Sequence, residues 1–455
     1  MSANRQLCAA ALRDYFRVSL SGTNLWEIEA PAGSPGFFHF GPEVVCYGTS
    51  AGGTSPALES SGPFDALELT RPNGAGTYVP FDFSSVIENL RKERYLHQLR
   101  GGNGLTSNPY VRKAYYAIRE LLPVAVRRHF QKSYFKDWQK ISFPHWPVDF
   151  SADLIHEEFL KLAMKAQRMP RIPFIWFWPE GANAAAIVTH DVETAVGRDY
   201  STTLMDVDQK HGFRASFQVV PEKRYEVPDT YWEEIRTRGF EFNVHDLNHD
   251  GYLFQERNEF TRRAQLINGY VKKYNARGFR AGAMYRNVDW LSAFEFSYDM
   301  SFPNVAHLEP QRGGCCTVMP YFIGNIVELP LTTAQDYSVF NILERFDIDL
   351  WKQQIAMILD HHGLITVLSH PDYLIDAKPL GTYEQLLAHL RRVCDDSNIW
   401  CALPRDVDAW WRARNQMTLV EHNGSWEITG PESYRARLAY ASLDGERLVY
   451  SLAGN

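Results

Sequence analysis

The sequence predicts an α/β fold built on a mostly parallel sheet, and two observations carry that prediction. Between residues 181 and 412, short apolar runs alternate with amphipathic stretches at helical spacing. Strand–helix alternation of this kind builds parallel sheets, and about seven units fit the span, which suits a distorted or incomplete barrel. The second observation is placement. Polar residues capable of chemistry fall at the carboxyl ends of the apolar runs, where α/β barrels and open α/β sheets hold their sites.

Taken in order, residues 1–83 are rich in Gly, Pro, Ser and aromatics, with short extended runs at 25–29 and 43–47 and a loop over 48–62. From Asp82 the pattern turns helical, with Val86, Ile87, Leu90, Tyr95 and Leu96 at helical spacing; 108–140 continues it, interrupted at Pro123. Phe143-Pro144-His145-Trp146-Pro147 reads as a stiff linker. Strands are then expected at 184–189, 214–220, 240–244, 278–283, 326–331, 364–368 and 399–403, with helices at 230–238, 256–274, 347–361 and 383–393. Runs at 417–419, 426–428, 437–440 and 448–452 predict a small β appendage. Four regions follow: 1–83 mixed β and loop, 84–180 helical with a linker, 181–412 the α/β domain that carries chemistry, and 413–455 the appendage.

Composition narrows the function. With 455 residues, 45% of them hydrophobic, the chain can bury a sizeable core. A net charge of −7 argues against nucleic-acid binding by the protein as a whole. No run approaches the ~20 apolar residues of a membrane-spanning helix. The first residues do not read as a secretory signal, and the six cysteines include no Cys-x-x-Cys pair, so a reduced, cytoplasmic setting is expected. Residues 111–140 hold eight Lys/Arg against two acidic residues. That is either a solvated helical face or a surface for anionic lipid headgroups.

Four segments carry the chemistry: Thr189-His190-Asp191-Val192-Glu193, His245-Asp246-Leu247-Asn248-His249, Phe279-Arg280-Ala281-Gly282 and Leu368-Ser369-His370-Pro371. Hydrolysis of an amide or ester needs an activated water, a stabilised oxyanion and a proton for the leaving group; a divalent ion held by imidazole and carboxylate meets the first two needs. His245 and His249, four apart, would share one face of a helical turn. A carboxylate from the first segment would complete a two-His, one-carboxylate site, although Asp191 and Glu193 could each merely cap a helix.

In order and spacing these segments resemble the motifs of the NodB-type polysaccharide deacetylases, carbohydrate esterase family 4, over about 181–411. The resemblance implies a distorted (β/α)7-like NodB barrel and a metal-dependent hydrolase that removes N-acetyl groups from an amino sugar. The family's first motif is usually Thr-Phe-Asp-Asp-Gly, with a base followed by a metal ligand; here Val192 stands at the ligand position. By analogy with Asp-x-Asp relatives, Asp191 is the general base, and Glu193 joins His245 and His249 as ligands of one divalent ion, zinc or similar. The reverse assignment of Asp191 and Glu193 stays open. Arg280 matches the Arg that aims the base, with Gly282 where the family has Pro. His370 matches the general acid, with Leu368 beside the acetyl methyl. Asp336 matches the residue that orients that acid, though it could instead cap a helix. Phe340 stands where the family often has Trp.

The implied partner is an N-acetylated glycan or a nucleotide- or lipid-linked glycan precursor, with peripheral membrane contact through 111–140 on the lipid reading. Two other functions fit the same segments: a fold relative hydrolysing a small cytoplasmic amide or cyclic imide, and a non-catalytic glycan-binding homologue. His190 reads as filler or outer support for the metal, His361 and His362 as structural, and Cys315-Cys316 as a turn. Trp176, Trp178, Tyr285, Trp290 and Tyr337 would stack on sugars or pack in the core. Oligomeric state is not legible.

Overall fold

Short strands open the chain: β1 (Trp26–Ile28), β2 (Gly36–His39), β3 (Val45–Gly48), β4 (Arg71–Asn73) and β5 (Gly76–Val79). The structure, a computed structural model, describes residues 11–19, 25–29, 31–58, 63–73, 76–99 and 134–454. β5 lies between β1 and β4, and β2 pairs with β3. The helical change at Asp82 is observed. Its carboxylate accepts from the Ser84 and Ser85 amides and caps the helix Phe83–Arg91. The basic stretch at 111–133 lies outside the described residues. Beyond it, Lys140 pairs with Asp137 at 2.9 Å.

After the helix Ser151–Gln167 comes β6 (Arg171–Ile175), a strand the sequence did not suggest because Pro173 interrupts it. It pairs antiparallel with β18 (Leu438–Asp444) of the C-terminal hairpin, whose other strand is β19 (Arg447–Leu452); a second hairpin, β16 (Thr418–His422) with β17 (Ser425–Thr429), precedes it. The expected β appendage is therefore stitched to the segment preceding the α/β domain. One apolar core runs from the N-terminal strands through Phe159, Phe174 and Trp410 to Ala439 and Ala441. Trp176 (3% exposed) and Trp178 (0%) belong to this core and are not sugar platforms.

The main sheet begins with β7 (Ala184–Val192), buried along all nine residues. It continues with β8 (Ala215–Val219), β9 (Glu241–His245), β10 (Gly278–Arg280), β11 (Tyr298–Asp299), β12 (Tyr321–Ile323), β13 (Ile326–Glu328), β14 (Leu364–Ser369) and β15 (Ile399–Cys401). The spatial order is β12-β13-β11-β10-β9-β8-β7-β14, with β15 also on β7; only β12–β13 is antiparallel. This is the expected distorted barrel, with β11 and β12 added. β14 runs along one edge of β7, while β15 and β8 share the other in succession, opposite Ala184–Ala186 and Val188–Val192.

The barrel's seam, between β14 and the residues after β13, is joined by hydroxyls. Thr332 Oγ1 donates to Leu364 O (2.7 Å) and accepts from Thr366 N (2.9 Å); Thr366 Oγ1 donates to Pro330 O and Thr333 Oγ1 to Thr366 O, both at 2.8 Å. Helices pack outside, including Ala195–Lys210, Asp229–Thr237, Arg257–Lys273 and Asp349–Asp360. The helix expected at 383–393 spans Ala377–Asp396. Its early start was hidden by Pro379 and Gly381, which a first helical turn tolerates. His361 stacks on Phe150 at 3.8 Å, and His362 Nδ1 lies 3.0 Å from Asn183 O, so both are structural.

The helix Ser151–Gln167 meets the C-terminal hairpin through Tyr450, whose hydroxyl donates to Glu157 at 3.0 Å. Burial raises the Glu157 carboxyl to about 7. An acid raised in the folded state loses its stabilising proton as pH climbs from ~4.5 to ~7. Glu157→Gln is expected to exceed wild type in stability at pH 8 by roughly 2 kcal/mol, after a discount for partial exposure, and to match it near pH 4.5. Urea titrations at the two pH values check this, and a gap unchanged by pH would refute it.

Candidate metal centre and active site

Side chains alternate along a strand, so Thr189, Asp191 and Glu193 at the end of β7 project to one side, and His190 and Val192 to the other. The apolar start of β7 anchors this row, and the polar end reaches the barrel mouth. Parallel register sets Arg280 of β10 beside His245 of β9, and Ser369 of β14 beside His190. All seven sequence-derived site residues thus converge at the carboxyl end of the sheet.

Arg280 is completely buried. Nη1 donates to Asp191 Oδ1 at 2.7 Å and to Thr189 Oγ1 at 3.1 Å; Nη2 donates to Thr189 Oγ1 at 3.1 Å, and Nε to Met300 O at 3.0 Å. Burial raises the Asp191 carboxyl, but Arg280, with His245 and His370, outweighs it and holds Asp191 below its ordinary range. Behind Arg280, Asp299 and Glu328 face each other in register across β11 and β13, both fully buried. Burial lifts Asp299 to about 6 and Glu328 well above a normal carboxylate. Glu328 therefore keeps its proton, and Asp191 is the carboxylate hydrogen-bonded to the guanidinium.

His245 and His249 come together with ring centroids 4.9 Å apart, but not on a helical turn as their spacing suggested. Past β9 the chain is an irregular loop with Asp246 (φ 56°) and His249 (φ 52°) in the left-handed region. Asp246 and Asn248 accommodate such turns better than most residues. Arg263, from the helix Arg257–Lys273, secures the loop by donating to Asp250 (2.7 and 2.9 Å) and Asn248 (3.3 Å). Nothing in the sequence singled out Arg263. Gly282, where the resemblance led to an expectation of Pro, has a close-packing reason. A Cβ there would sit 2.6 Å from Asp246 Oδ2 and 2.9 Å from His249 Cδ2.

Glu193 Oε1 stands 2.9 Å from His249 Nε2, 3.8 Å from His245 Nε2 and 3.6 Å from His370 Nε2. Asp191 Oδ2 lies 3.7 Å from His245 Nε2. His249 Nδ1 is buried without a hydrogen bond, and His245 Nε2 and His249 Nε2 face the Asp191 and Glu193 carboxylates without making one of good geometry; buried polar atoms rarely go unpaired. One ligand atom each from Glu193, His245 and His249 fall within 4.8 Å of one another. Two imidazoles, one carboxylate and orphaned nitrogens facing that carboxylate fit a divalent cation of the zinc type. His245 Nδ1 lies 3.0 Å from Arg280 O, leaving Nε2 free for such an ion.

Across the mouth, His370 is fixed from behind. Asp336 Oδ1 is 2.6 Å from His370 Nδ1, and its Oδ2 accepts from the His370 amide at 2.7 Å. Asp336 therefore holds both the ring and the backbone of His370, and its Oδ1 also accepts from the Tyr337 amide at 2.7 Å, at the start of the short helix Ser338–Ile342. Burial lowers the basicity of His370, but Asp336 and Glu193 raise it well above ordinary. Leu368, Met284 and Leu331 form a separate small apolar cluster. The strand expected at 278–283 stops at Arg280 because Ala283 and Met284 take positive φ (53° and 54°) in the turn that brings Met284 to this cluster.

His190 turns away from the mouth. Its Nδ1 is 2.9 Å from Ser369 Oγ and its Nε2 2.8 Å from Asp208 Oδ2, and Tyr383 donates to Asp208 Oδ1 at 2.7 Å. This buried chain ties β7 to the residue before His370. Of the other aromatics, Tyr285 is buried, Trp290 packs against Phe260, and Tyr337 lies 5.6 Å from Tyr373 beside the site.

No protein-family model matches this sequence, and no curated protein sequence does. Solved structures resemble about half of the chain. A Mycobacterium smegmatis protein assigned to the polysaccharide deacetylases is 16% identical over 55% of this chain and 98% of its own, with a TM-score of 0.42. A family 4 acetyl xylan esterase from Clostridium thermocellum, in complex with cobalt, is 13% identical over 50% of this chain and 91% of its own, at 0.33. A CE4-family pseudoenzyme from Bacillus anthracis is 15% identical over 49% and 65%, at 0.31. At such scores fold and function rest on this chain's own sheet order and site atoms.

Gly282→Ala should drive Asp246 and His249 apart and weaken zinc binding about 10- to 100-fold, the usual effect of disturbing a ligand's support. Competition with a chromogenic chelator checks this; unchanged affinity would mean that His249 is not a ligand.

Proposed function

We propose that this chain is a metal-dependent deacetylase that hydrolyses N-acetyl groups of an amino sugar in a glycan or glycan precursor, releasing acetate and a free amine. One observation carries the reading: the Glu193–His245–His249 cluster lies between a carboxylate held by arginine and an imidazole held by aspartate. Those three residues would hold the ion, which when bound acidifies a water and polarises the scissile carbonyl.

Asp191 accepts the proton of the attacking water. Arg280 keeps that carboxylate ionised and aimed, and Thr189 fixes Arg280. As the carbon–nitrogen bond breaks, His370 delivers a proton from Nε2 to the leaving nitrogen, while Asp336 holds Nδ1 and supports the imidazolium. Leu368, Met284 and Leu331 offer the acyl methyl an apolar contact. On this reading the substrate is met in the cytoplasm, as a precursor.

Wild-type protein should carry about one zinc per chain, and His245→Ala/His249→Ala none. Acetate release from N-acetylhexosamine oligomers and sugar nucleotides should follow the metal. Ammonia or a ring-opened product instead would identify an amide or imide hydrolase, and metal with no turnover on any of these a binding protein. Asp191→Asn and His370→Gln should keep the metal and lose about 10²- to 10⁴-fold in kcat. Glu193→Gln should lose metal affinity first. Zinc lost with Asp191→Asn and retained with Glu193→Gln would reverse the two roles.

A further inference from the structure

Outside the site, the fold brings two cysteines together near the opposite end of the sheet. Cys394 lies near the end of the helix Ala377–Asp396 and is 2% exposed; Cys401 ends β15 and is only partly buried. The helix packs on β15, both cysteines belong to one apolar cluster, and the two thiols interact across that contact, while Cys401 Sγ also donates to Ile399 O. Arg391 Nη1 stands 3.6 Å from Cys401 Sγ. That guanidinium is held by Asp395, 3.1 Å from its Nε, and lies 5.6 Å from the centre of the Phe213 ring. Cys401 is therefore partly exposed with a fixed cation at its sulfur and a second thiol close by, surroundings that favour a reactive thiolate.

The remaining described cysteines differ. Cys46, Cys315 and Cys316 are fully buried, and burial pushes each thiol up, away from reactivity. In the 394/401 pair, partial exposure and the Arg391 cation favour Cys401 as the nucleophile, and buried Cys394 as the protonated partner that follows.

We propose that Cys394 and Cys401 form a redox-active dithiol that hydrogen peroxide converts to an intramolecular disulfide. The Cys401 thiolate attacks one peroxide oxygen; a sulfur–oxygen bond forms, the oxygen–oxygen bond breaks, and hydroxide departs as water. Cys394 then gives its proton to solvent and attacks the sulfenic sulfur, forming the sulfur–sulfur bond and releasing a second water. Two thiols lose two electrons and the peroxide gains them; an external thiol reverses the exchange. The link would pin the helix end to β15, which pairs with Ala184–Ala186, the end of β7 remote from Asp191.

The test uses the full chain treated with stoichiometric peroxide. Wild type should lose the mass of two hydrogens, with a Cys394–Cys401 cross-link in peptide maps that dithiothreitol removes. Cys394→Ser should accumulate a sulfenic acid at Cys401, trapped by dimedone, whereas Cys401→Ser should leave Cys394 reduced. Arg391→Met should slow oxidation several-fold while leaving the fold's circular dichroism unchanged. Oxidation mapping to other cysteines, equal reactivity of Cys394 without Cys401, or full retention of both thiols would overturn the proposal.

Discussion

The pairing of Arg280 with Asp191 is the constraint on which the rest of the site depends. A guanidinium with no exposure is costly unless every donor is used and the charge is matched. Here Thr189, Met300 and Asp191 use the donors, and Asp191 supplies the charge. Because the two residues sit on β10 and β7, satisfying them fixes the distance across the barrel mouth. The backbone carbonyl of Arg280 extends this order to the next strand, accepting from the Asp246 amide and facing His245 Nδ1. One buried charge thus aims Asp191 and also sets His245, the first of the two clustered histidines.

Further from the chemistry, the same logic recurs with smaller groups. Arg263 holds the loop of His249, Asp336 holds both backbone and ring of His370, and His190 links β7 to Ser369. Glu93, from the N-terminal region, pairs with buried Arg286 and accepts from Gly314 N, bracing the turn after Arg280. The N-terminal region thereby supports the wall of the site.

Much of this was legible in the sequence because the relevant signals are local. The apolar run before Asp191, the Leu-Ser-His-Pro segment and the i, i+2 pair Asp191/Glu193 each state their position on a strand end. What was not legible depends on distant partners or broken patterns. The left-handed loop at 246–249 exists because Arg263 and Gly282 make room and anchorage for it, and neither is near in sequence. β6 carries a proline, β11 is two residues long, and the helix from Ala377 begins with residues that ordinarily end helices. The threonine seam has no period at all.

β7 has neighbours along both edges for nearly its whole length, with three strands bonded to it where most have two. Local opening of a fold starts where few contacts must be released and reaches such a strand last. Loss of the C-terminal hairpin, the outer helices or even the barrel's far edge would each leave β7 paired. Asp191 and the Glu193 carboxylate that faces the histidines are therefore mounted on the keystone of the molecule. Wear at its margins would erode stability well before it disturbed the geometry of Asp191 and Glu193.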